Sequence, residues 1–169
     1  MRQIITQVIG AIAYILLGAS YYKKEKSQIL FIQIFSYIAF SIHYYLLGGI
    51  TGTVCNIIGL LMMIIIYVYD QNKGNNKKIL IAIMIPVLIL IALLSWENFY
   101  SIFPILSSTI MLIAFLREDS NDIRAIGVVS NLSWTIYGIV LKSPVTIFFE
   151  VLILFASIIA FLKNDKKQE

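Results

Sequence analysis

Seven apolar segments dominate the chain, and short polar or helix-breaking sequences separate them. A membrane-spanning helix needs about 20 mostly apolar residues, within a range of about 17–25. The segments lie at 4–22, 29–47, 50–69, 79–95, 99–116, 123–141 and 144–162. Gly-Gly and Ser-Pro dipeptides break helices, so even the closely spaced segments count as separate helices. The pattern predicts an all-α membrane protein with seven transmembrane helices.

The composition excludes most soluble classes of protein. Of the 169 residues, 60% are hydrophobic and 13% are charged, against about 45–50% and about 25% in soluble domains. A soluble domain of this length could not bury so much apolar surface. The net charge of +4 therefore indicates cationic loops beside a lipid bilayer, and we expect no nucleic-acid partner.

Few residue sets could support catalysis or metal binding. The chain has one cysteine and one histidine, which excludes an intrachain disulfide and any cysteine or histidine cluster for a metal. It contains neither a phosphate-binding loop nor a plausible Ser/His/Asp set. We therefore expect no enzyme, no cofactor and no metal. The sequence leaves open whether the protein forms a homo-oligomer.

Basic residues predict the orientation, because cytoplasmic loops are enriched in Lys and Arg. With seven spans, one side of the membrane carries only Arg2 and Lys142. The opposite side carries the other eleven of the thirteen basic residues. We therefore expect the N-terminus outside and the C-terminus in the cytoplasm.

The two ends of the chain align without a gap at an offset of 94 residues. Phe40 then meets Trp134, and Asn56 meets Glu150, while helix ends and loop charges also coincide. The alternative is a chance match between evenly spaced hydrophobic helices. The alignment predicts one membrane domain over 1–169, with a three-helix repeat at 4–70, a linker helix at 79–95 and a second repeat at 99–164. An odd number of linker helices gives both repeats the same orientation in the membrane. Carriers of this design hold substrate between the repeats.

This 3+1+3 plan resembles the SWEET/SemiSWEET and PQ-loop (MtN3-like) superfamily. The stretch "QVIGAIAYILLGASYYKKEKSQILFIQIFSYIAFSIHYYLLGGITGTVCNIIGLL" most resembles the YgjV family of bacterial inner membrane proteins, which implies a multi-pass protein of the bacterial plasma membrane. SemiSWEET-type carriers place a tryptophan and, 16 residues later, an asparagine at the cavity. Phe40 with Asn56 and Trp134 with Glu150 have that spacing, but each pair departs from it by one residue type. The resemblance therefore implies a cavity without implying sugar as the solute.

Glu150 is the strongest candidate site residue. It lies about six residues, or about 9 Å, inside its helix, where a charged carboxylate is costly unless paired, neutralised or hydrated. It could bind a cationic or hydroxylated solute or carry a proton, or it could form a protonated contact between helices. Asn56 could bind a polar solute or join two helices. Trp134 and Phe40 could sandwich a sugar, a nucleoside or a cation, or simply pack in the core.

The remaining candidates are weaker. His43, Tyr137 and Asn131 are expected to lie near the same cavity, and His43 could titrate near neutral pH. Pro104 and Gly10 are candidate hinges. The tyrosines that follow His43 are expected to anchor the protein at the membrane interface. Further candidate lining residues are Tyr14, Tyr37 and Ser130.

The sequence is compatible with two functions. The first is a carrier that moves a small polar solute through a central cavity. The second is a membrane receptor or an assembly (scaffold) protein that transports nothing. A cavity lined by Glu150 and Asn56 favours the carrier, and a packed interior with Glu150 bonded to a neighbouring helix favours the second function.

Overall fold

The computed structural model describes residues 1–21, 26–71, 77–114 and 120–165. Over these ranges the chain forms helices and no strands, which confirms the all-α prediction. Each predicted apolar segment corresponds to one helix. The helices are α1 (Arg2–Tyr21), α2 (Lys26–Leu47), α3 (Ile50–Gln71), α4 (Lys77–Leu94), α5 (Ile102–Ala114), α6 (Ser120–Val140) and α7 (Pro144–Asp165), with a 3-10 turn at Phe99–Ser101 before α5.

Two tight turns connect α2 to α3 and α6 to α7, and we call this end of the bundle the tight-turn end. Gly48 and Lys142 turn the chain with positive φ angles of 83° and 52°. At Gly48 the missing Cβ allows this conformation without strain. The Ser143 hydroxyl accepts a hydrogen bond from the Thr146 N–H at 3.3 Å and so caps α7, whose first residue is a proline.

The α4–α5 connection is fixed to the start of α3. The Thr51 hydroxyl donates to the Ser95 carbonyl at 2.6 Å, and the Thr51 N–H donates to Glu97 Oε2 at 3.1 Å. A carboxylate is favourable beside the N-terminus of a helix. Pro104 is buried in the first turn of α5, where its missing N–H removes no hydrogen bond from a helix interior. A hinge role for Pro104 stays a prediction.

Hydrogen bonds between helices involve several buried serines. Helix α2 packs between α1 and α3, and α6 packs between α5 and α7. The Ser36 hydroxyl donates to the Ala13 carbonyl at 2.8 Å, and Ser107 and Ser130 hydroxyls lie 2.6 Å apart. Helix α4 contacts α3 and α5, while α1 contacts α7 and α3 contacts α5. The bundle therefore has a central region bounded by several helices.

The burial pattern is inverted relative to a soluble protein. Along α1 the apolar side chains Ile4, Val8, Ile12 and Ile15 are exposed, whereas across the bundle many serines and threonines are buried, as are a histidine and a glutamate. Such a surface suits lipid, and hydrogen bonds between helices satisfy polar groups inside. This pattern indicates a membrane protein.

Three of the helices are long and apolar enough to cross a membrane. These stretches lie at Arg2–Ser20, Ser27–Leu47 and Ile50–Val68. Within the described ranges, the apolar stretches of the later helices are shorter. Seven helices are therefore present as expected in the described parts of the chain, and seven membrane crossings stay a prediction.

Candidate functional site: a central cavity

A cavity of about 120 Å³ lies in the centre of the bundle, and each of the seven helices contributes to its lining. It brings together five of the seven candidate binding residues named from the sequence. These are Phe40, Asn56, Asn131, Trp134 and Glu150, with Tyr37 and Ser130 also in the lining. His43 and Tyr137 lie outside this lining, nearer the tight-turn end.

Glu150 lines the cavity from α7 and is buried, with 6% of its surface exposed. The Tyr14 hydroxyl on α1 donates a hydrogen bond of 2.8 Å to Oε1. Oε2 is also buried, and no hydrogen-bond partner for it exists among the described residues. Buried polar atoms almost always have partners. Glu150 can therefore accept one more hydrogen bond or a positive charge at Oε2 once this oxygen, which is closed to solvent in the conformation described, turns toward the cavity.

Aromatic rings form one continuous wall of the cavity. The ring centroids of Tyr44 and Trp134 lie 5.0 Å apart, and those of Phe40 and Tyr44 lie 6.5 Å apart. Behind this wall, Tyr14 packs edge-on against Phe40 at 4.7 Å. These rings hold the Tyr14 hydroxyl at Glu150, so the aromatic wall and the carboxylate are parts of one structure.

Most other polar groups in the lining have partners already. Asn56 donates to the Gly52 carbonyl of its own helix at 2.8 Å, and Gln33 donates to the Ser20 hydroxyl at 3.3 Å. Asn56 therefore lies in the cavity as expected, but part of its amide is used within α3.

His43 packs tightly near the tight-turn end. Its Nδ1 donates to the Thr6 carbonyl at 2.8 Å, so Nε2 of the neutral ring accepts from the Thr146 hydroxyl at 3.1 Å. The ring lies against Gly10, where a Cβ would meet the imidazole Cε1 at 2.6 Å. His43 thus joins α1, α2 and α7, and Gly10 provides the space for its ring.

Tyr137 has a similar role, and its ring lies 5.8 Å from that of Tyr44. The Gly52 N–H donates to the Tyr137 hydroxyl at 3.2 Å. A Cβ at Gly49 would lie 2.7 Å from that hydroxyl oxygen, and a Cβ at Gly52 would lie 2.6 Å from the ring. Tyr137 therefore joins α6 to the start of α3.

The chain matches the model of a known protein family. The model of the Imp-YgjV family, described as a bacterial inner membrane protein, matches residues 4–168. The chain belongs to this family. No curated protein and no solved structure matches the chain. Family membership confirms the predicted relationship to the YgjV family and the predicted class of bacterial inner membrane protein. The wider resemblance to SWEET-type carriers stays a prediction.

Several lining residues lie outside the sequence-based candidates. Tyr44 was expected at the membrane interface, but only 2% of its surface is exposed and it contacts Trp134. Its position four residues after Phe40 places both on one face of α2, and this spacing is the signal that could have identified it. Cys55, Met62 and Met63 also line the cavity, and no spacing distinguished them from other apolar residues of α3.

Proposed function

We propose that this protein is a carrier that moves a small polar solute through the central cavity, between two three-helix repeats. The observation that carries the proposal is the buried Oε2 of Glu150, which has no partner among the described residues, in a side chain that lines the cavity. Ionisable residues inside membrane helices are expensive, and they usually mark solute or proton pathways.

Paired contacts support the two repeats. At the offset of 94 residues, the Ser36 bond to the Ala13 carbonyl corresponds to the pairing of Ser130 with Ser107. The left-handed residue Gly48 corresponds to Lys142. The contact of α1 with α7 likewise corresponds to that of α5 with α3. Parallel repeats related by an axis along the membrane normal would produce this correspondence.

The tight-turn end would act as a gate. His43 of the first repeat bonds to Thr146 of the second, and Tyr137 of the second bonds to Gly52 of the first. These pairs also correspond at the same offset, and they lie between the cavity and the tight turns. Rocking of the repeats would break both bonds and open this end, as alternating access requires.

The membrane orientation completes the proposal. Seven spans would place the tight-turn end on the outer side, together with Arg2 and Lys142. The eleven other basic residues would then lie in the cytoplasm. The cavity would then be sealed from the outside in the conformation described. Solute would enter or leave from the cytoplasmic side.

A second function, a membrane receptor or scaffold without transport, has one specific observation in its favour. Tyr14 on α1 bonds to Glu150 on α7, and a buried bond of this kind joins helices in proteins that do not transport. The carrier is preferred because that bond uses one oxygen only, and the cavity lies beside the carboxyl group.

Solute flux into liposomes tests the carrier. Purified protein would be reconstituted and screened with cationic, hydroxylated and anionic solutes against empty liposomes. We expect uptake of one solute class, loss or decoupling of that uptake in Glu150→Gln, and normal uptake in the matched control Glu97→Gln. Glu97 is exposed and lies outside the cavity lining. Absence of flux for every class with folded protein would refute the carrier, and normal, equally pH-dependent flux in Glu150→Gln would refute the role of Glu150.

A further inference from the structure

The charge of the cavity lining is one-sided. Among the residues that the structure describes, Glu150 is the only acidic residue in the lining, and no lysine, arginine or histidine of this part lines it. Oε2 of Glu150 has no partner in the described part of the chain. A buried carboxylate in an apolar region requires a cation, a proton or water beside it. The free oxygen therefore favours a positively charged ligand.

The aromatic wall favours the same charge. Phe40, Tyr44 and Trp134 line the cavity, and their ring centroids are separated by 5.0 and 6.5 Å along the wall. The negative faces of aromatic rings attract cations, and cages of such rings recognise alkylated ammonium groups. An acid beside an aromatic wall can thus hold an ammonium ion by charge and by ring contact together.

The polar lining disfavours a polyhydroxylated solute. Such a solute needs many unoccupied donors and acceptors, but part of the Asn56 amide, the Gln33 amide and the Ser130 hydroxyl already form hydrogen bonds within the protein. Breaking these bonds to bind a sugar would leave buried groups without partners. An alkylated ammonium ion requires one negative group and apolar contact, and the cavity provides both.

The volume limits the size of the ligand. A cavity of about 120 Å³ compares with an engineered cavity of about 150 Å³ that binds benzene. A ligand of roughly five or six non-hydrogen atoms fits this space.

We propose that the central cavity binds a small alkylammonium ion, with the ammonium group between the Glu150 carboxylate and the rings of Phe40, Tyr44 and Trp134. This inference rests on the proposed function, because it takes the cavity to be the solute site. It names the solute class, and binding can be measured without transport.

The two tryptophans offer a direct assay. Trp134 lines the cavity, whereas Trp96 is exposed and lies outside the lining. Trp96→Phe therefore leaves one fluorescent reporter in the wall. The probe is tetramethylammonium chloride in detergent. Its controls are tert-butyl alcohol, which is uncharged and of nearly the same size, and sodium chloride at the same concentration.

We expect saturable change of Trp134 fluorescence with tetramethylammonium and none with either control. Glu150→Gln should raise Kd about tenfold or more, because it removes the charge. Phe40→Leu should raise Kd several-fold by removing one ring face. The matched carboxyl variant Glu97→Gln should leave Kd unchanged, and circular dichroism confirms that each variant is folded.

Three results would overturn the inference: no saturable response to tetramethylammonium in folded protein, an equal response to tert-butyl alcohol or sodium chloride, or an unchanged Kd in Glu150→Gln. The outcomes also separate the two proposals. Binding of tetramethylammonium without flux of any solute would support the cavity ligand and refute the carrier. Flux of a neutral or anionic solute without ammonium binding would support the carrier and refute the ligand.

Discussion

Replacement of Gly10 by alanine tests the close packing near the tight-turn end. A Cβ at this position would lie 2.6 Å from Cε1 and 2.7 Å from Nδ1 of His43. Real Cβ contacts are essentially never so short, so α1 or the imidazole must move. The imidazole is buried and bonded at both nitrogens, and its movement would weaken its hydrogen bonds to Thr6 and Thr146.

The expected magnitude follows from these contacts. Overpacking costs about 1–3 kcal/mol, and strained hydrogen bonds lose about 1 kcal/mol or less each. Alanine recovers up to about 1 kcal/mol through its higher helix propensity. We therefore expect Gly10→Ala to lower the free energy of unfolding by about 2 kcal/mol. Gly18 in the same helix has nothing within 4 Å of a built Cβ, so Gly18→Ala should be neutral or slightly stabilising.

Unfolding in mixed micelles by titration with a denaturing detergent, followed by circular dichroism, measures both variants. A double-mutant cycle with His43→Ala identifies the cause. If the clash with the imidazole causes the loss, Gly10→Ala should be nearly neutral in the His43→Ala background, with a coupling energy above about 1 kcal/mol. Equal stabilities for Gly10→Ala and Gly18→Ala, or no coupling to His43, would show that the packing argument is wrong.

Two further predictions concern the α4–α5 connection and the topology. Thr51→Val should lower the free energy of unfolding by about 1–3 kcal/mol, because it leaves the Ser95 carbonyl and the Ser101 hydroxyl without this partner. The control is Thr109→Val, whose hydroxyl donates to the Ile105 carbonyl of its own helix. This variant should change stability much less in the same detergent titration. The topology can be tested with single cysteines at Asn75 and Asn98 in a Cys55→Ser background. In intact cells, a membrane-impermeant maleimide should label only the cysteine at Asn98, because eleven of the thirteen basic residues predict a cytoplasmic 70–78 loop. Labelling at Asn75 alone would show the opposite orientation.

The positions of the helices and the central candidates were predictable from the sequence. Apolar runs of membrane length and the breakers between them locate each helix. Phe40 and Asn56 are 16 positions apart in sequence, on two antiparallel helices that a tight turn connects. Trp134 and Glu150 have the same spacing on the corresponding pair of helices. Since each of the four residues lies eight positions from the turn residue Gly48 or Lys142, all four fall at one depth, and the structure places all four in one lining. The spacing therefore carried real information about depth.

The contacts between helices could not be predicted from the same patterns. His43 was expected near the cavity, but its ring lies against Gly10 of α1 and bonds to Thr146 of α7. That arrangement depends on the rotation and separation of three helices, which apolar periodicity does not specify. Tyr44 was misassigned for a related reason, because a tyrosine near a helix end suits either the membrane interface or a buried wall. Only the neighbouring helices decide between the two.

The distribution of satisfied polar groups connects stability with function in this bundle. In an apolar solvent each buried donor or acceptor needs a partner within the protein, and the fold provides one for the imidazole of His43 and for the amide of Asn56. Among the described buried side chains, Oε2 of Glu150 is the exception, and it belongs to a side chain that lines the cavity. Packing alone would favour glutamine or an apolar residue at this position, since a buried carboxyl group with one partner destabilises the fold. A cation beside the carboxylate of Glu150 would remove this penalty, and this is the physical basis of the proposed binding role.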